Sequence, residues 1–399
     1  MASETCKQLA DRAEKELLSN ILPFWLLEAP DREQGGFWAR ISPDLKIRER
    51  TPKGLILNAR ILWTFSAAYR QYHSPSYLGM ARRAWHELAV SFTDPLYGGM
   101  FWMLDAGNAP LDNSKKIYGQ AFAIYSLAEY HLACGEKEPL DLALAIYERI
   151  EQHNFDAVHT GYLESANRDW SPAADLRLSA VDMNEKKSMN THLHVLEAYT
   201  QLFRVWPDDG LREKLVLLIN DFLDHIIDAQ SSHLLLFFDE TWQPKSLKVS
   251  YGHDIEASWL LDEAAQVLGD PILLRKCQKV SVAMAEAVLR EGMGEDGGLC
   301  YEREGDALDR DVHWWVQSEA VVGFANAYQN SGRPEFLTAA VHAWDFIETH
   351  LIDRTYGEWI YKVNAARLPD LSLHKVSEWK CPYHNSRTCL ELARRVKRC

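Results

Sequence analysis

Residues 35–41 read Gly-Gly-Phe-Trp-Ala-Arg-Ile, and residues 98–104 read Gly-Gly-Met-Phe-Trp-Met-Leu. Each stretch joins a tight turn to a short alternating segment, which is typical of a small β-hairpin. Such turns recur six times, and the second residues of successive pairs lie 63, 62, 72, 65 and 59 residues apart. This spacing indicates a repeat architecture. The six pairs are Gly35-Gly36, Gly98-Gly99, Thr160-Gly161, Ser232-His233, Gly297-Gly298 and Tyr356-Gly357.

Two helices fill each repeat. An amphipathic helix precedes each turn, as over residues 140–153 and 215–228, and a helix that is apolar nearly all round follows it. The alternation predicts an all-α protein, an (α/α)6 barrel of six inner and six outer helices with short β-hairpins at its mouth. The alternative is an open helical solenoid, which needs polar capping repeats that the chain lacks. The predicted inner helices cover residues 56–69, 120–130, 194–203, 255–267, 320–328 and 388–396.

Composition limits the possible functions. The 399 residues are 47% hydrophobic, and without a linker they predict one domain over residues 1–399. A formal charge of −14 argues against nucleic-acid binding, and we interpret the basic residues 394–398 as a solvated helix end. The chain shows no signal-peptide pattern and no apolar run of about 18 residues, so we expect no membrane association. Seven cysteines without Cys-x-x-Cys spacing favour a reduced cytoplasmic protein. The sequence does not distinguish a monomer from a homodimer.

The first turns of the inner helices would meet at one mouth of the barrel, where their free N–H groups favour a transient negative charge. Four of these six segments contain histidine. His192 and His194 lie two residues apart, about 200° around a helix, so they cannot grip one metal ion. No His-Glu-x-x-His motif is present either, so no metal site is predicted, although one assembled from different helices stays open. His253 and Glu256 share a helix face, and we expect the carboxylate to orient the imidazole.

Aromatic side chains are abundant around the predicted mouth, more so than hairpin packing requires. Some of them would be platforms for the C–H face of a sugar ring, although spacing does not indicate which. They are Phe101, Trp102, Tyr118, Phe122, Trp314, Trp315, Trp379 and Tyr383.

Six ordered segments of the chain resemble the N-acylglucosamine 2-epimerase superfamily, and most closely its cellobiose 2-epimerase branch. The resemblance implies an (α/α)6 barrel and a cofactor-free inversion at C2 of a reducing-end glucose in cellobiose- or lactose-type β-1,4-disaccharides, giving the mannose epimer. The segments are Leu-Asn-Ala-Arg-Ile-Leu-Trp-Thr-Phe (57–65), Tyr-Gly-Gln-Ala-Phe-Ala-Ile-Tyr (118–125), Ser-Met-Asn-Thr-His-Leu-His-Val-Leu-Glu-Ala-Tyr (188–199), Gly-His-Asp-Ile-Glu-Ala-Ser-Trp-Leu-Leu (252–261), His-Trp-Trp-Val-Gln-Ser-Glu-Ala (313–320) and Pro-Tyr-His-Asn-Ser-Arg (382–387).

The same resemblance implies roles for individual residues. His253 and His384 would be the acid/base pair on opposite faces of C2, His194 would assist ring opening, and Arg60 would stabilise the anionic intermediate. The supporting and sugar-binding residues would be Glu256, Tyr118, Phe122, Asn190, Asp182, Trp379 and one or both of Trp314 and Trp315.

Other functions stay open at this point. A mannose 2-epimerase or an aldose–ketose isomerase would use the same cis-enediolate, and N-acylglucosamine is a less favoured substrate. An (α/α)6 barrel also suits a glycoside hydrolase with two carboxylates. The carboxylates available for that reaction are Asp182, Glu185, Asp254, Glu256 and Glu319.

Overall fold

The computed structural model describes residues 2–396. Within them, outer and inner helices alternate strictly along the chain. The outer helices are α1 (Ala2–Glu16, a π-helical turn Leu17–Ile21, then Leu22–Glu28), α3 (Pro75–Glu87, then Leu88–Phe92), α5 (Glu138–His153), α7 (Asp209–Asp221, then Phe222–Ile226), α9 (Pro271–Glu291) and α11 (Pro334–Phe346, then Ile347–Leu351). The inner helices are α2 (Leu55–Tyr72), α4 (Ile117–Cys134), α6 (Met189–Val205), α8 (Tyr251–Leu268), α10 (Trp314–Ser331) and α12 (Tyr383–Val396).

Local sequence explains where many of these helices begin and end. Three inner helices end at a glycine in the left-handed conformation, namely Gly135, Gly269 and Gly332. Proline then occupies the first turn of most of the outer helices that follow, where its missing N–H costs nothing. Asp270 also caps α9 by accepting from the N–H groups of Ile272 and Leu273.

The ring of inner helices is closed. Each inner helix packs on the next one, and α12 packs on both α10 and α2. Helix α1, from the other end of the chain, covers α12 from outside. The predicted (α/α)6 barrel is therefore confirmed, and the open solenoid is wrong. The first and last repeats bury their apolar faces against each other, which explains why neither has a polar cap.

The inner helices begin earlier than predicted. Five of them start three to six residues before the expected position, as α6 does at Met189 instead of His194. Polar residues such as Asn190 and Thr191 interrupt the apolar pattern, although they already have helical backbone. Most of the residues expected at the mouth therefore lie in the first two helical turns, where their directions are set by helix geometry.

The predicted hairpin turns are present, with one correction. Backbone bridges such as Pro30 to Phe37 and Thr93 to Met100 close them. The sixth turn is Gly357-Glu358, with φ of +76° and +59°, and not Tyr356-Gly357. The Glu358 carboxylate binds the Trp25 indole N–H (2.6 Å) and Lys380 Nζ (2.6 Å), and these bonds hold a non-glycine residue in a left-handed conformation.

Short antiparallel strands link each repeat to the next around the mouth. They form six small sheets, in the orders β1-β2, β3-β4-β5, β6-β7, β8-β9, β10-β11-β12 and β13-β14. In the described part of the chain, no helix is both long and apolar enough to cross a bilayer. The strands are β1 (Arg40–Ile41), β2 (Arg48–Glu49), β3 (Lys53–Gly54), β4 (Met103–Leu104), β5 (Pro110–Asp112), β6 (Lys115–Lys116), β7 (Ser165–Ala166), β8 (Lys187–Ser188), β9 (Phe237–Phe238), β10 (Val249–Ser250), β11 (Glu302–Glu304), β12 (Ala307–Asp309), β13 (Val312–His313) and β14 (Lys362–Val363).

Candidate active site

Equivalent positions in the inner helices hold the hairpins in place. His192 is fully buried; its Nε2 accepts from the Tyr162 N–H (2.8 Å), and its Nδ1 donates to the Ser188 carbonyl (2.6 Å). Gln120, Asp254 and Gln317 bind the backbone after their own turns in the same way. Both ring nitrogens of His192 are therefore used by the fold, and this histidine has a structural role.

Two residues further along, each inner helix places one side chain in the centre of the barrel. Two residues correspond to about 200°, so these side chains point away from the hairpin that their neighbours bind. All six are buried. They are Arg60, Phe122, His194, Glu256, Glu319 and Arg387.

Arg387 is the hub of this central group. Its Nη2 donates to Glu319 at 2.7 Å and, in a shorter contact, to Glu256, while its Nη1 donates to Glu197. Glu197 also accepts from the Tyr383 hydroxyl. One guanidinium therefore connects carboxylates from three different helices.

The three carboxyl groups around Arg387 differ in protonation. Burial raises the pKa of Glu256 and of Glu319, and the charge of Glu319 raises the pKa of Glu256 further. Burial also opposes ionisation of Glu197, but the Arg387 charge and the His194 hydrogen bond outweigh it and lower its pKa to about 2. These shifts favour a carboxylate at Glu197 and a proton on the Glu256–Glu319 pair.

His194 and Arg60 lie beside this group. Nδ1 of His194 is 3.0 Å from Glu197 Oε2, and its ring centroid is 4.7 Å from that of Phe122. Arg60 Nη2 donates to the Tyr118 hydroxyl at 3.0 Å, and its guanidinium lies 4.2 Å from the centre of the Phe122 ring. The structure therefore brings four of the predicted site residues into one cluster.

The predicted pairing of His253 with Glu256 is wrong. Nδ1 of His253 faces the Ser250 hydroxyl at 2.8 Å, one turn earlier, while Glu256 turns inward to Arg387. Burial, reinforced by His194, lowers the pKa of His253 to about 3. The i,i+3 spacing allowed the pair, but the buried guanidinium of Arg387 is the stronger partner for the carboxylate.

A carboxyl group orients the His384 ring through its Nδ1 atom. Its Nδ1 is 2.7 Å from Glu319 Oε1 and 3.9 Å from Glu256 Oε1. Burial and the charges of Arg60 and Arg387 lower the pKa of His384 well below its usual value. Because Nδ1 is engaged, Nε2 is the ring nitrogen left for a ligand.

Trp315 connects the two histidines. Its ring centroid lies 4.8 Å from that of His253 and 5.7 Å from that of His384, and the side chain is only half-buried. Trp314 is 3% exposed and packs on Tyr361. The structure thus distinguishes the two tryptophans, and Trp315 is the one at the mouth.

The remaining predicted residues lie around the rim. Trp379 is half-buried, with its ring centroid 6.1 Å from that of Tyr118. Oδ1 of Asn190 is buried without a hydrogen-bond partner among residues 2–396, and its contact with a sugar stays a prediction. The Asp182 carboxylate instead binds the N–H and hydroxyl of Ser179 (2.8 Å each), so any sugar contact of Asp182 stays a prediction.

Three of the central side chains have the ligand atoms that a metal site requires. Glu256, Glu319 and His384 bring ligand atoms within 4.8 Å of one another, close enough for a cation. Arg387 already contacts both of these carboxylates, and its positive charge repels a second cation. The donor set therefore does not fit a metal ion while Arg387 is in place.

Comparison with known proteins identifies the family. The N-acylglucosamine 2-epimerase (GlcNAc 2-epimerase) family matches residues 36–386. The chain belongs to this family. It is 47% identical to a cellobiose 2-epimerase of Bacteroides fragilis over 386 residues, which cover 96% of this chain and 98% of the relative. It is 41% identical over 391 residues to a cellobiose 2-epimerase of Dictyoglomus turgidum, covering 98% and 99%.

A solved structure supports the same assignment. The cellobiose 2-epimerase from Bacillus thermoamylovorans superposes with a TM-score of 0.93 at 39% identity, covering 98% of this chain and 100% of the other. The protein is therefore a carbohydrate 2-epimerase, an isomerase with an (α/α)6 barrel. The glycoside hydrolase alternative has no support from the site, because Glu256 and Glu319 bind Arg387 and Asp254 binds the His233 imidazole (2.7 Å).

Sequence reasoning missed several parts of the epimerase site. Glu197 was given no role, Arg387 was only the last residue of a motif, and Glu319 was considered only for hydrolysis. The available signal was the position within the repeat, because Arg387 and Glu319 are equivalent to the predicted Arg60 and His194. Glu197 stands three residues after His194, the spacing that was used for His253 and Glu256.

Proposed function

We propose that the protein inverts C2 of the reducing-end glucose of cellobiose- or lactose-type β-1,4-disaccharides to give the mannose epimer. His253 and His384 would act on opposite faces of C2, through a cis-enediolate. The observation that carries the proposal is that these two imidazoles come from different helices, α8 and α12, yet contact the same half-buried indole of Trp315.

The protonation of the two histidines suits proton abstraction. Burial lowers the pKa of His253 to about 3 and that of His384 well below its usual value, so both rings are neutral near pH 7 and each can accept a proton. Each ring is held through Nδ1, by Ser250 and by Glu319 respectively. The Nε2 lone pair is then the base, and inversion requires the opposite ring to return a proton.

Arg60 would stabilise the enediolate. It donates hydrogen bonds to the Tyr118 hydroxyl and to Cys381 Sγ (3.7 Å), and no ion pair joins it to a carboxylate within residues 2–396. Its positive charge is therefore available to a developing oxyanion, together with the N–H groups of the inner helix starts. His194, held by Glu197, would handle the proton that moves when the sugar ring opens.

Support for a disaccharide comes from the cellobiose 2-epimerases to which the chain is similar. We propose that Trp315 and Trp379 stack on sugar rings and that Asn190 binds a hydroxyl. The reaction moves only protons, so we propose that it needs no cofactor. Free mannose, ketose formation and N-acylglucosamine are the alternatives that the assay must distinguish.

The test is to incubate the protein in D2O with cellobiose, lactose, mannose and N-acetylglucosamine in turn, and to follow the products by NMR. We expect the C2 epimer of the two disaccharides, with deuterium at C2. His253→Ala and His384→Ala should each lower the rate at least about 100-fold, the usual contribution of a general acid or base. The matched control His153→Ala, an exposed histidine that stacks on Trp170, should keep full activity. An active His253 or His384 variant, or a ketose as the main product, would contradict the proposal.

A further inference from the structure

Glu256 and Glu319 form a buried pair of carboxyl groups at the centre of the barrel. Glu256 Oε1 and Glu319 Oε1 both accept from the same nitrogen, Arg387 Nη2. Three buried carboxylates and two guanidiniums would leave one net negative charge, which a single proton on this pair removes. The burial-raised pKa of both residues agrees with this count. The charged and titratable groups around the pair are Arg60 (α2), Tyr118 (α4), His194 and Glu197 (α6), His253 (α8), and Tyr383, His384 and Arg387 (α12).

We infer that Glu256 and Glu319 hold one proton between them beside Arg387, and that Glu319 passes this proton to Nδ1 of His384 as Nε2 of that ring gives up its own. The inference rests on the proposed epimerisation and adds a relay that the two-histidine scheme lacks. Glu319 is the member in contact, with Oε1 2.7 Å from His384 Nδ1, whereas Glu256 Oε1 is 3.9 Å away. Both act through His384, so they are positioning residues.

The relay gives His384 two tautomers, one that acts on the substrate as a base and one that acts as an acid. When the proton is on Glu256, Glu319 accepts from His384 Nδ1–H, and the Nε2 lone pair is a base. When the proton is on Glu319, its O–H donates to Nδ1, and the ring carries its own proton on Nε2 as an acid. The Trp259 indole N–H, 3.0 Å from Glu319 Oε2, leaves Oε1 as the oxygen that exchanges the proton.

One inversion moves protons among C2, the two histidines and Glu319 without net gain or loss. His253 takes the C2 proton, and the C–H electron pair becomes part of the enediolate. His384 Nε2–H then breaks and gives its proton to the opposite face of C2, while the Glu319 O–H proton moves to Nδ1. His384 is again neutral, Glu319 is a carboxylate, and His253 is an imidazolium. Exchange with water removes the proton from half-buried His253 and restores the one on the carboxyl pair, and the reverse reaction uses the same steps backwards.

Glu319→Gln separates the relay from a structural role. A glutamine can accept from Nδ1–H but cannot deliver a proton, so His384 stays a base and loses its acid form. His253 is bonded to Ser250 instead and keeps its function. We therefore expect C2 hydrogen exchange with D2O to persist for the epimer that His253 deprotonates, while conversion between epimers falls about 100-fold.

The measurement is NMR of C2–H exchange and of conversion, starting from each epimer. Glu129→Gln, a buried glutamate at the opposite end of the barrel bound to Arg70 (2.7 Å), is the matched control and should leave the exchange-to-conversion ratio unchanged. Glu256→Gln removes the repulsion that keeps the proton on Glu319, so the alkaline limb of kcat should move to lower pH. Equal loss of exchange and conversion in Glu319→Gln, or an unshifted limb in Glu256→Gln, would overturn the relay. A wild-type protein that places no deuterium at C2 would instead overturn the proposed function.

Discussion

Replacing Arg387 by methionine tests the charge balance of the barrel centre. The side chain is 1% exposed and binds Glu197, Glu256 and Glu319, so its removal leaves buried carboxylates without a counter-ion. Breaking a buried ion pair typically costs about 3–5 kcal/mol. Methionine keeps most of the volume, so the loss arises mainly from charge and not from a cavity.

The pH dependence identifies the cause. In the wild type, Arg387 outweighs burial and lowers the pKa of Glu197 to about 2, so this group stabilises the fold at pH values above its unfolded pKa. In Arg387→Met, burial is opposed only by the contacts of Glu197 with His194 and Tyr383, and we expect the folded pKa to rise above the unfolded value. The folded state must then hold an extra proton, and stability falls as pH rises. Each pH unit costs about 1.4 kcal/mol, or about 3 kcal/mol between about pH 5.5 and about pH 7.5.

Urea unfolding followed by far-UV circular dichroism at these two pH values measures the difference. The control is Arg70→Met, because Arg70 is 37% exposed and pairs with Glu129 at the far end of the barrel. That variant should lose at most about 1 kcal/mol, with no added pH dependence. If Arg387→Met is destabilised equally at both pH values, or is as stable as the wild type, Arg387 does not balance the charge of the three carboxylates.

Two further predictions concern the ligand and a metal ion. Trp315→Ala should raise KM for the disaccharide about tenfold, equivalent to about 1.4 kcal/mol of lost stacking energy. If steady-state kinetics show an unchanged KM, Trp315 does not stack on the sugar. Dialysis against a chelator should not change the rate. Among residues 2–396, only Glu256, Glu319 and His384 form a cluster of possible metal ligands, and Arg387 already neutralises its charge. A loss of rate that a divalent ion restores would show that this cluster binds metal.

The sequence predicted the local parts of the fold well. Turn residues and hydrophobic periodicity act over a few residues, so the alternation of helices and five of the six turns were predicted correctly. The sixth turn was placed one residue early, because Glu358 occupies a left-handed position through contacts with Trp25 and Lys380. Helix starts were placed late, since polar first-turn residues such as Asn190 hide the apolar pattern.

The site was predicted less completely, for a physical reason. Spacing within one helix shows which side chains can meet, but not which partner a side chain takes. Glu256 had His253 within reach and binds Arg387, which stands 131 residues later. Resemblance to a family supplied the histidines and Arg60, but it gave no role to Arg387.

The sequence alone predicts a six-fold helical repeat that has histidines and aromatic residues at the starts of its inner helices. Local periodicity is sufficient to determine those features. Tertiary structure decided the rest. Closure of α12 onto α2 brings Arg387 to Glu197, 190 residues away in the chain, and seats His384 on Glu319. Only in that closed, buried interior does one guanidinium contact three carboxyl groups and oppose the rise in pKa that burial causes.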